Sequence, residues 1–131
     1  MLAITSLSLA TNAIHALLKN YVVYGLAFVG LTITSLFYHT GSKTNTTYDQ
    51  VWFWLDQACI YSVFVIGFYY VLKVPLLYQL AAVLSISICI LYYNYGKLTN
   101  QFVWDKQFGP IYHGFMHVVG ALGHHAIMMG L

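Results

Sequence analysis

Two histidines lie four residues apart in "HGFMH", residues 113–117. On a helix, positions i and i+4 share one face and lie about 6 Å apart along the axis. His113 and His117 can therefore bind one metal ion. A catalytic zinc ion is held by three protein ligands and keeps a fourth position open for water or substrate. The pair needs one more ligand from elsewhere in the chain.

His39 is the candidate third ligand, and it ends the stretch "SLFYH", residues 35–39. Ser35 lies one turn before His39 on the same helix face, where it can hydrogen-bond water, Asp56 or substrate. Asp56 follows as the only acidic residue inside an apolar segment, and a carboxylate near a metal can hold a water or take its proton. We predict Zn²⁺ with three histidine ligands, and Asp56 and Ser35 as catalytic residues.

Each of these residues also has a purely structural interpretation. The two histidines of "HGFMH" can simply pair with other side chains, and a protonated Asp56 can donate a hydrogen bond between helices. Ser35 can serve close packing or hydrogen-bond the backbone of its own helix. The metal site is favoured because three separate segments bring His39, Asp56 and the histidine pair to about the same depth.

Composition indicates the elements that must hold these residues. Hydrophobic residues make up 60% and charged residues 6% of the 131 residues, and the mean hydropathy is +0.73. A soluble domain carries about 25% charged residues, so this chain cannot cover itself with a solvated polar surface. We predict an all-α integral membrane protein. A net charge of +2 offers no electrostatic footprint for nucleic acid.

A helix needs about 20 apolar residues to cross a membrane. We predict one transmembrane domain over residues 1–131, a bundle of about five helices at about 2–18, 21–39, 51–72, 75–95 and 110–131. The first is the most polar, so we expect it to pack against other helices rather than lipid. Period-2 alternation is absent, and a closed barrel would need many more crossings than this length allows.

The order of the crossings determines where the candidate residues meet. The loops 40–50 and 96–109 fall on one side of the membrane, because two crossings separate them. The second helix ends on that side, and the third and fifth begin there. His39, Asp56 and the histidine pair therefore lie at that side or within one to two turns of it.

Lysines and aromatic residues indicate which side this is. Three lysines fall on the side of the metal site, and two fall on the other: Lys43, Lys97 and Lys106 against Lys19 and Lys73. The positive-inside rule therefore predicts that the metal site faces the cytosol. An aromatic belt of the kind found at membrane interfaces marks the same side: Trp52, Trp54, Tyr92, Tyr93, Tyr95 and Trp104.

The remaining three histidines fall outside the predicted metal site. His124 lies on the face of His117 about 10.5 Å further along the helix, too far for the same ion. It is expected to line a cavity or to form a hydrogen bond between helices. His125 points about 100° away from it. His15 stands near Asn12 in the first helix and is expected to have a structural partner.

The ordered set of motifs resembles a known membrane hydrolase superfamily. It consists of S-x-x-x-H at a helix end, Asp in the next helix and H-x-x-x-H in the last, as in alkaline ceramidases, progestin/adipoQ receptors and hemolysin III-type proteins. "WLDQACIYSVFVIGFYY" looks like the third helix of the receptor branch, and "HGFMHVVGALGHH" looks like its last helix. The resemblance covers about 35–72 and 110–126.

The resemblance implies a seven-helix fold around zinc, with His39, His113 and His117 as ligands. Asp56 would then lie near the zinc-bound water, and Ser35 would be the serine of the motif. The implied activity is hydrolysis of an amide bond in a ceramide-like lipid, and we predict that this chain cleaves an amide or ester bond of such a lipid. Residues 57–112 leave room for one helix where the family has three, so this chain would be a shortened form. A homo-oligomer is one way to close its smaller lipid cavity.

Other functions stay open from the sequence. A receptor-like or pore-forming membrane protein could use zinc only to join its helices. H-x-x-x-H followed by His124 and His125 also suggests a membrane di-iron oxygenase, although such enzymes usually need more histidines. Haem held by two histidines between helices is a further alternative.

Overall fold

The computed structural model describes residues 2–40, 47–98 and 109–131. These residues form five α-helices: α1 (Leu2–Leu18), α2 (Val22–Thr40), α3 (Thr47–Val71), α4 (Leu76–Leu98) and α5 (Gly109–Gly130). The predicted all-α class is confirmed. Helix α3 begins at Thr47 rather than at residue 51, so the last part of the predicted 40–50 loop is helical. Three residues used to predict sidedness and the aromatic belt lie outside the described residues: Lys43, Trp104 and Lys106.

Three of these helices are long and apolar enough to cross a membrane: Val22–Thr40, Thr47–Val71 and Leu76–Gly96. Helix α1 has 17 residues and is shorter than a typical crossing. Helix α5 has 22 residues, but it carries four histidines and does not reach the hydropathy of the other three. Length and composition therefore support a multi-pass chain with three candidate spans. They do not extend to all five of the predicted crossings.

The outward faces of the helices are strongly apolar. Large side chains such as Val65, Phe68 and Leu84 are 62–69% exposed, and most of the apolar stretch of α4 is uncovered. Water-soluble monomers rarely expose continuous apolar surface of this extent. These faces suit lipid tails, so hydropathy and packing agree on a membrane environment.

The helices form an open ring in the order α3, α2, α1, α5, α4. Neighbours in this order pack closely along their lengths, whereas α3 makes only brief contacts with α4 and α5. Within the described ranges, α2 and α5 have no close backbone approach to each other. They face each other across the interior, and buried side chains such as Tyr24 and Phe28 of α2 fill the space between them.

A tight turn joins α1 to α2. Asn20 has a positive φ of 64°, a conformation that asparagine tolerates better than most residues. The backbone N–H of Tyr21 donates to the Ala16 carbonyl at 2.9 Å, which satisfies a carbonyl at the end of α1. The Lys19 ammonium donates to the Met128 carbonyl at 2.7 Å, and this bond holds the end of α1 against α5. The turn therefore directs α2 back along α1.

Helices α4 and α5 approach closely at a glycine. A Cβ atom at Gly123 would lie 2.8 Å from Ser85 Cβ, which is too close for two carbon atoms. A Cβ atom at Gly120, one turn earlier on α5, would lie 4.0 Å from its nearest neighbour, Cys89 Sγ. The two glycines share a helix but differ in the space beside them.

We expect Gly123→Ala to separate α4 from α5 and to lower the free energy of unfolding by about 1–3 kcal/mol, the usual cost of overpacking. Gly120→Ala is the matched control, and its better helix propensity should leave stability unchanged or raise it by up to about 1 kcal/mol. Thermal unfolding in detergent, followed by circular dichroism, measures both variants. Equal stability of the two would contradict the close α4–α5 packing.

Candidate functional site

Three histidines lie together at one end of the helix bundle. The ring centroids of His39 and His113 are 4.8 Å apart, those of His39 and His117 are 5.3 Å apart, and those of His113 and His117 are 4.8 Å apart. One nitrogen atom of each ring lies within 4.8 Å of the other two. The structure thus brings together the three residues that the sequence predicts as metal ligands.

The direction of the helices explains this meeting. Helix α2 ends where α5 begins, so the last turn of α2 carries His39 to the first turns of α5. The i, i+4 spacing puts His113 and His117 on one face of α5. Helix α1 packs against both helices, whose backbones do not approach each other closely within the described ranges. Imidazoles are long enough to meet across that space.

The nitrogen positions fit a zinc ion. With Zn–N bonds of 2.0–2.1 Å, nitrogen ligands on tetrahedral zinc lie about 3.3 Å apart. The three nitrogens lie within 4.8 Å of one another, so none of their separations exceeds that value by more than about 1.5 Å. All three histidines are half-buried, so a ligand on the fourth position would be only partly exposed. A donor set of three imidazoles is one that zinc accepts.

Asp56 is buried beside the same end of the bundle, with 5% of its surface exposed. Its Oδ1 accepts a hydrogen bond from Thr34 Oγ1 at 3.5 Å, which ties α3 to α2. The ring of Phe37 stacks on Trp52 with centroids 4.4 Å apart, so α2 and α3 run antiparallel with Thr34 opposite Asp56. Thr34 lies five residues before His39, a rise of about 7.5 Å.

The contact of α3 with α5 gives a second estimate of how far Asp56 lies from the three histidines along the bundle axis. A Cβ atom at Gly67 would lie 2.8 Å from His124 Cε1, so these two residues are level. Helices α3 and α5 run in the same direction. Asp56 lies eleven residues before Gly67 on α3, and His113 lies eleven residues before His124 on α5. Together, the two registers put Asp56 within about one and a half turns of the histidines along the bundle axis.

Ser35 is buried, and it points towards α1. Its Oγ lies 2.8 Å from Ser6 Oγ, and the Ser6 hydroxyl also donates to the Leu2 carbonyl at 3.1 Å. The sequence predicts that Ser35 hydrogen-bonds water, Asp56 or substrate, whereas the structure gives it Ser6 as a partner. Its catalytic role stays a prediction.

Two residues of α1 that lie near the site were not identified from the sequence. Thr5 Oγ1 lies 3.2 Å from His117 Nδ1, and Ser6 contacts Ser35 as described above. The signal available was the polar character of the first helix, which predicted packing against other helices. That pattern did not indicate which helix each hydroxyl would contact, because apolar residues are spread around α1 as well.

The other three histidines lie towards the opposite end. His124 contacts the Tyr24 hydroxyl through Nδ1, and its ring meets the Phe28 ring edge-on with centroids 5.0 Å apart. His125 Nε2 lies 2.8 Å from Thr11 Oγ1, and its Nδ1 lies 2.9 Å from His15 Nδ1. These residues join α1, α2 and α5 through side chains and are separate from the three-histidine group.

A cavity of about 370 Å³ lies between α3, α4 and α5. Its lining is largely apolar and includes Phe64, Phe68, Val83, Ile86 and Ile127, with His124 as a polar wall. Small residues make room for it, among them Gly67, Ala82 and Gly120. Gly120 stands three residues after His117, a rise of about 4.5 Å, so the cavity begins about one turn beyond the histidine group.

We expect Tyr24→Phe to remove the hydroxyl partner of the half-buried His124 and to lower the free energy of unfolding by about 1–3 kcal/mol. Tyr21→Phe is the control, because Tyr21 also packs its ring against Tyr70 but its hydroxyl has no hydrogen-bond partner within the part of the chain that is described. It should change stability by less than about 0.5 kcal/mol. Unfolding of both variants in the same detergent would measure the difference.

A scan against protein-family models, a search of curated proteins and a search of solved structures each found no match to this chain. The resemblance to ceramidases and progestin/adipoQ receptors therefore stays a prediction that rests on the motif residues themselves.

Proposed function

We propose that this chain is a zinc-dependent intramembrane hydrolase that cleaves an amide or ester bond of a ceramide-like lipid. The observation that carries the proposal is the group of His39, His113 and His117, whose nitrogens lie within 4.8 Å of one another at one end of an apolar bundle. The buried carboxylate of Asp56 at about the same depth supports a hydrolytic rather than a purely structural use of the metal.

The proposal includes five membrane crossings, with α1 and α5 joining the three candidate spans. Both pack along apolar helices, and their outward faces carry exposed side chains such as Ile4, Leu7, Phe115 and Leu122. Alternating direction then puts the histidine group near one membrane surface. The excess of lysines on that side favours the cytosolic face.

In the proposed hydrolysis, the zinc ion and the protein residues have different roles. Zinc, when bound, polarises a carbonyl oxygen and lowers the pKa of a water to about 7. The three imidazoles would hold the ion, and Asp56 would orient the attacking water and take its proton. The water oxygen would bond to the carbonyl carbon as the C–N bond of an amide, or the C–O bond of an ester, breaks, and the proton would pass from Asp56 to the leaving amine or alcohol. The products would be a carboxylic acid and an amine or an alcohol.

The cavity between α3, α4 and α5 supports a lipid substrate. Its volume of about 370 Å³ lies within the range of small-molecule sites, and its walls are mainly apolar. The polar headgroup of a lipid could lie at the histidine group, and its acyl chain could follow α5 into the cavity, which begins about one turn further along. Helices α3 and α4 barely contact each other, so the chain of a lipid could enter between them from the bilayer.

The hydrolase is favoured over the alternatives by particular contacts. A di-iron site would need further ligands near the first three, but His124 contacts Tyr24 and His125 contacts Thr11 and His15. In a receptor-like or pore-forming protein whose zinc only joins helices, Asp56 would serve only its hydrogen bond with Thr34, whereas a hydrolase would also use its carboxylate on water. Asp56 therefore separates these functions in an experiment.

We expect the purified protein to bind one zinc ion per chain, and His39→Ala, His113→Ala and His117→Ala each to lose it, because two imidazoles hold zinc much less tightly than three. His125→Ala should keep the metal, since its contacts are with Thr11 and His15. Elemental analysis of folded, dialysed protein measures the content. Stoichiometric zinc in the three ligand variants would show that the site is wrong.

We expect Asp56→Asn to keep zinc but to reduce turnover by about 10²–10⁴-fold, the usual effect of losing a general base. The assay incubates the protein with a panel of lipid amides and esters, with and without chelator, and measures the released fatty acid. Asp49→Asn, in the first turn of the same helix, is the control. An active wild type whose turnover survives in Asp56→Asn would contradict the role of Asp56. Absence of chelator-sensitive turnover in the wild type would favour the receptor-like alternative.

A further inference from the structure

The hydroxyl of Thr5 makes two contacts that together determine where its proton goes. Thr5 Oγ1 lies 2.9 Å from the Leu2 carbonyl, one turn earlier on α1, and 3.2 Å from Nδ1 of His117 on α5. A carbonyl oxygen can only accept a hydrogen bond, so the single hydroxyl proton of Thr5 is donated to Leu2. Towards His117, the Thr5 oxygen must therefore act as the acceptor.

This arrangement assigns the tautomer of His117. Because Thr5 accepts, the Nδ1 atom of His117 must carry a hydrogen and donate it. A neutral imidazole carries one such hydrogen, so the lone pair is on Nε2. A metal ligand needs that lone pair, and histidine ligands commonly donate their other N–H to a neighbouring acceptor, which orients the ring.

We propose that Thr5 is a positioning residue of the metal centre, which holds His117 with Nδ1 protonated and Nε2 presented to the ion. The inference rests on the proposed zinc site and adds to it a residue from a helix that carries none of the ligands. Thr5 does not touch the metal or the substrate, and it acts through His117 alone.

Gly114 makes this contact possible. It lies between the two histidines of α5, and a Cβ atom there would lie 2.9 Å from Thr5 Cγ2 and 3.2 Å from Thr5 Oγ1. Any larger residue would push the Thr5 side chain out of its position. The stretch "HGFMH" thus combines two candidate ligands with the glycine that admits the partner of one of them.

The next residue along α1 makes the matching contact with α2. Ser6 Oγ lies 2.8 Å from Ser35 Oγ, one turn before His39. Adjacent residues of α1 thus contact the two helices that carry the ligands: Thr5 reaches α5, and Ser6 reaches α2. Thr5 therefore orients His117, and the Ser6–Ser35 contact holds α1 against the helix that carries His39.

The test compares Thr5→Val, which keeps the shape but removes the acceptor, with Thr5→Ser, which keeps the hydroxyl. Zinc affinity is measured by competition with a chelator, and the tautomer of His117 is read from imidazole nitrogen NMR shifts of the metal-free protein. Thr5→Val should bind zinc about 10–100-fold more weakly and lose the preference for Nδ1–H, while Thr5→Ser should retain both. The matched control is Thr11→Val, because Thr11 contacts His125 in the same way but away from the metal centre.

The two readouts separate the failure of this inference from that of the proposed function. Unchanged zinc affinity in Thr5→Val, or a wild-type His117 protonated on Nε2, would overturn the role of Thr5 even if the protein binds zinc. A wild type that binds no zinc would overturn the proposed function, and the NMR shifts alone would then decide whether Thr5 sets the tautomer. If Thr5→Val does not fold, Gly114→Ala provides the second variant and should show the same loss of Nδ1–H preference.

Discussion

The rest of the structure depends on the separation between α2 and α5, the two helices that carry the histidine group. They face each other without close backbone contact, and α1 packs against both. The contacts of Thr5 with His117 and of Ser6 with Ser35 set this spacing at one end. At the other end, Tyr24 meets His124 across the same interior. Side chains between α2 and α5, rather than interlocked backbones, hold the centre of the bundle.

Much of the fold and part of the site could be predicted from the sequence. Apolar length predicted the helices, and the alternating direction of crossings predicted that His39 and the pair in "HGFMH" meet at one end. These inferences need only the direction of each helix and the rise per residue. The boundary of α3 was less accurate, because Thr47 to Gln50 are polar and look like a loop although they continue the helix.

The partners of individual side chains could not be predicted in the same way. They depend on the rotation of each helix about its axis, and a membrane helix that is apolar on every side gives little indication of that rotation. Ser35 is an example, because its position one turn before His39 suggested a role at the site while its hydroxyl contacts Ser6. The polar groups of Thr5 and Ser6 identify the buried face of α1 only once their partners are known.

The open ring has a consequence for kinetics. If the chain is the lipid hydrolase proposed above, and α3 and α4 leave an entrance on the side of the bundle, its substrate would arrive by diffusion within the bilayer and not through water. Its effective concentration is then its mole fraction among the surrounding lipids, and its acyl chain need never be exposed to solvent. Diluting a substrate lipid with inert lipid would slow such a protein, whereas diluting the vesicles in buffer would not.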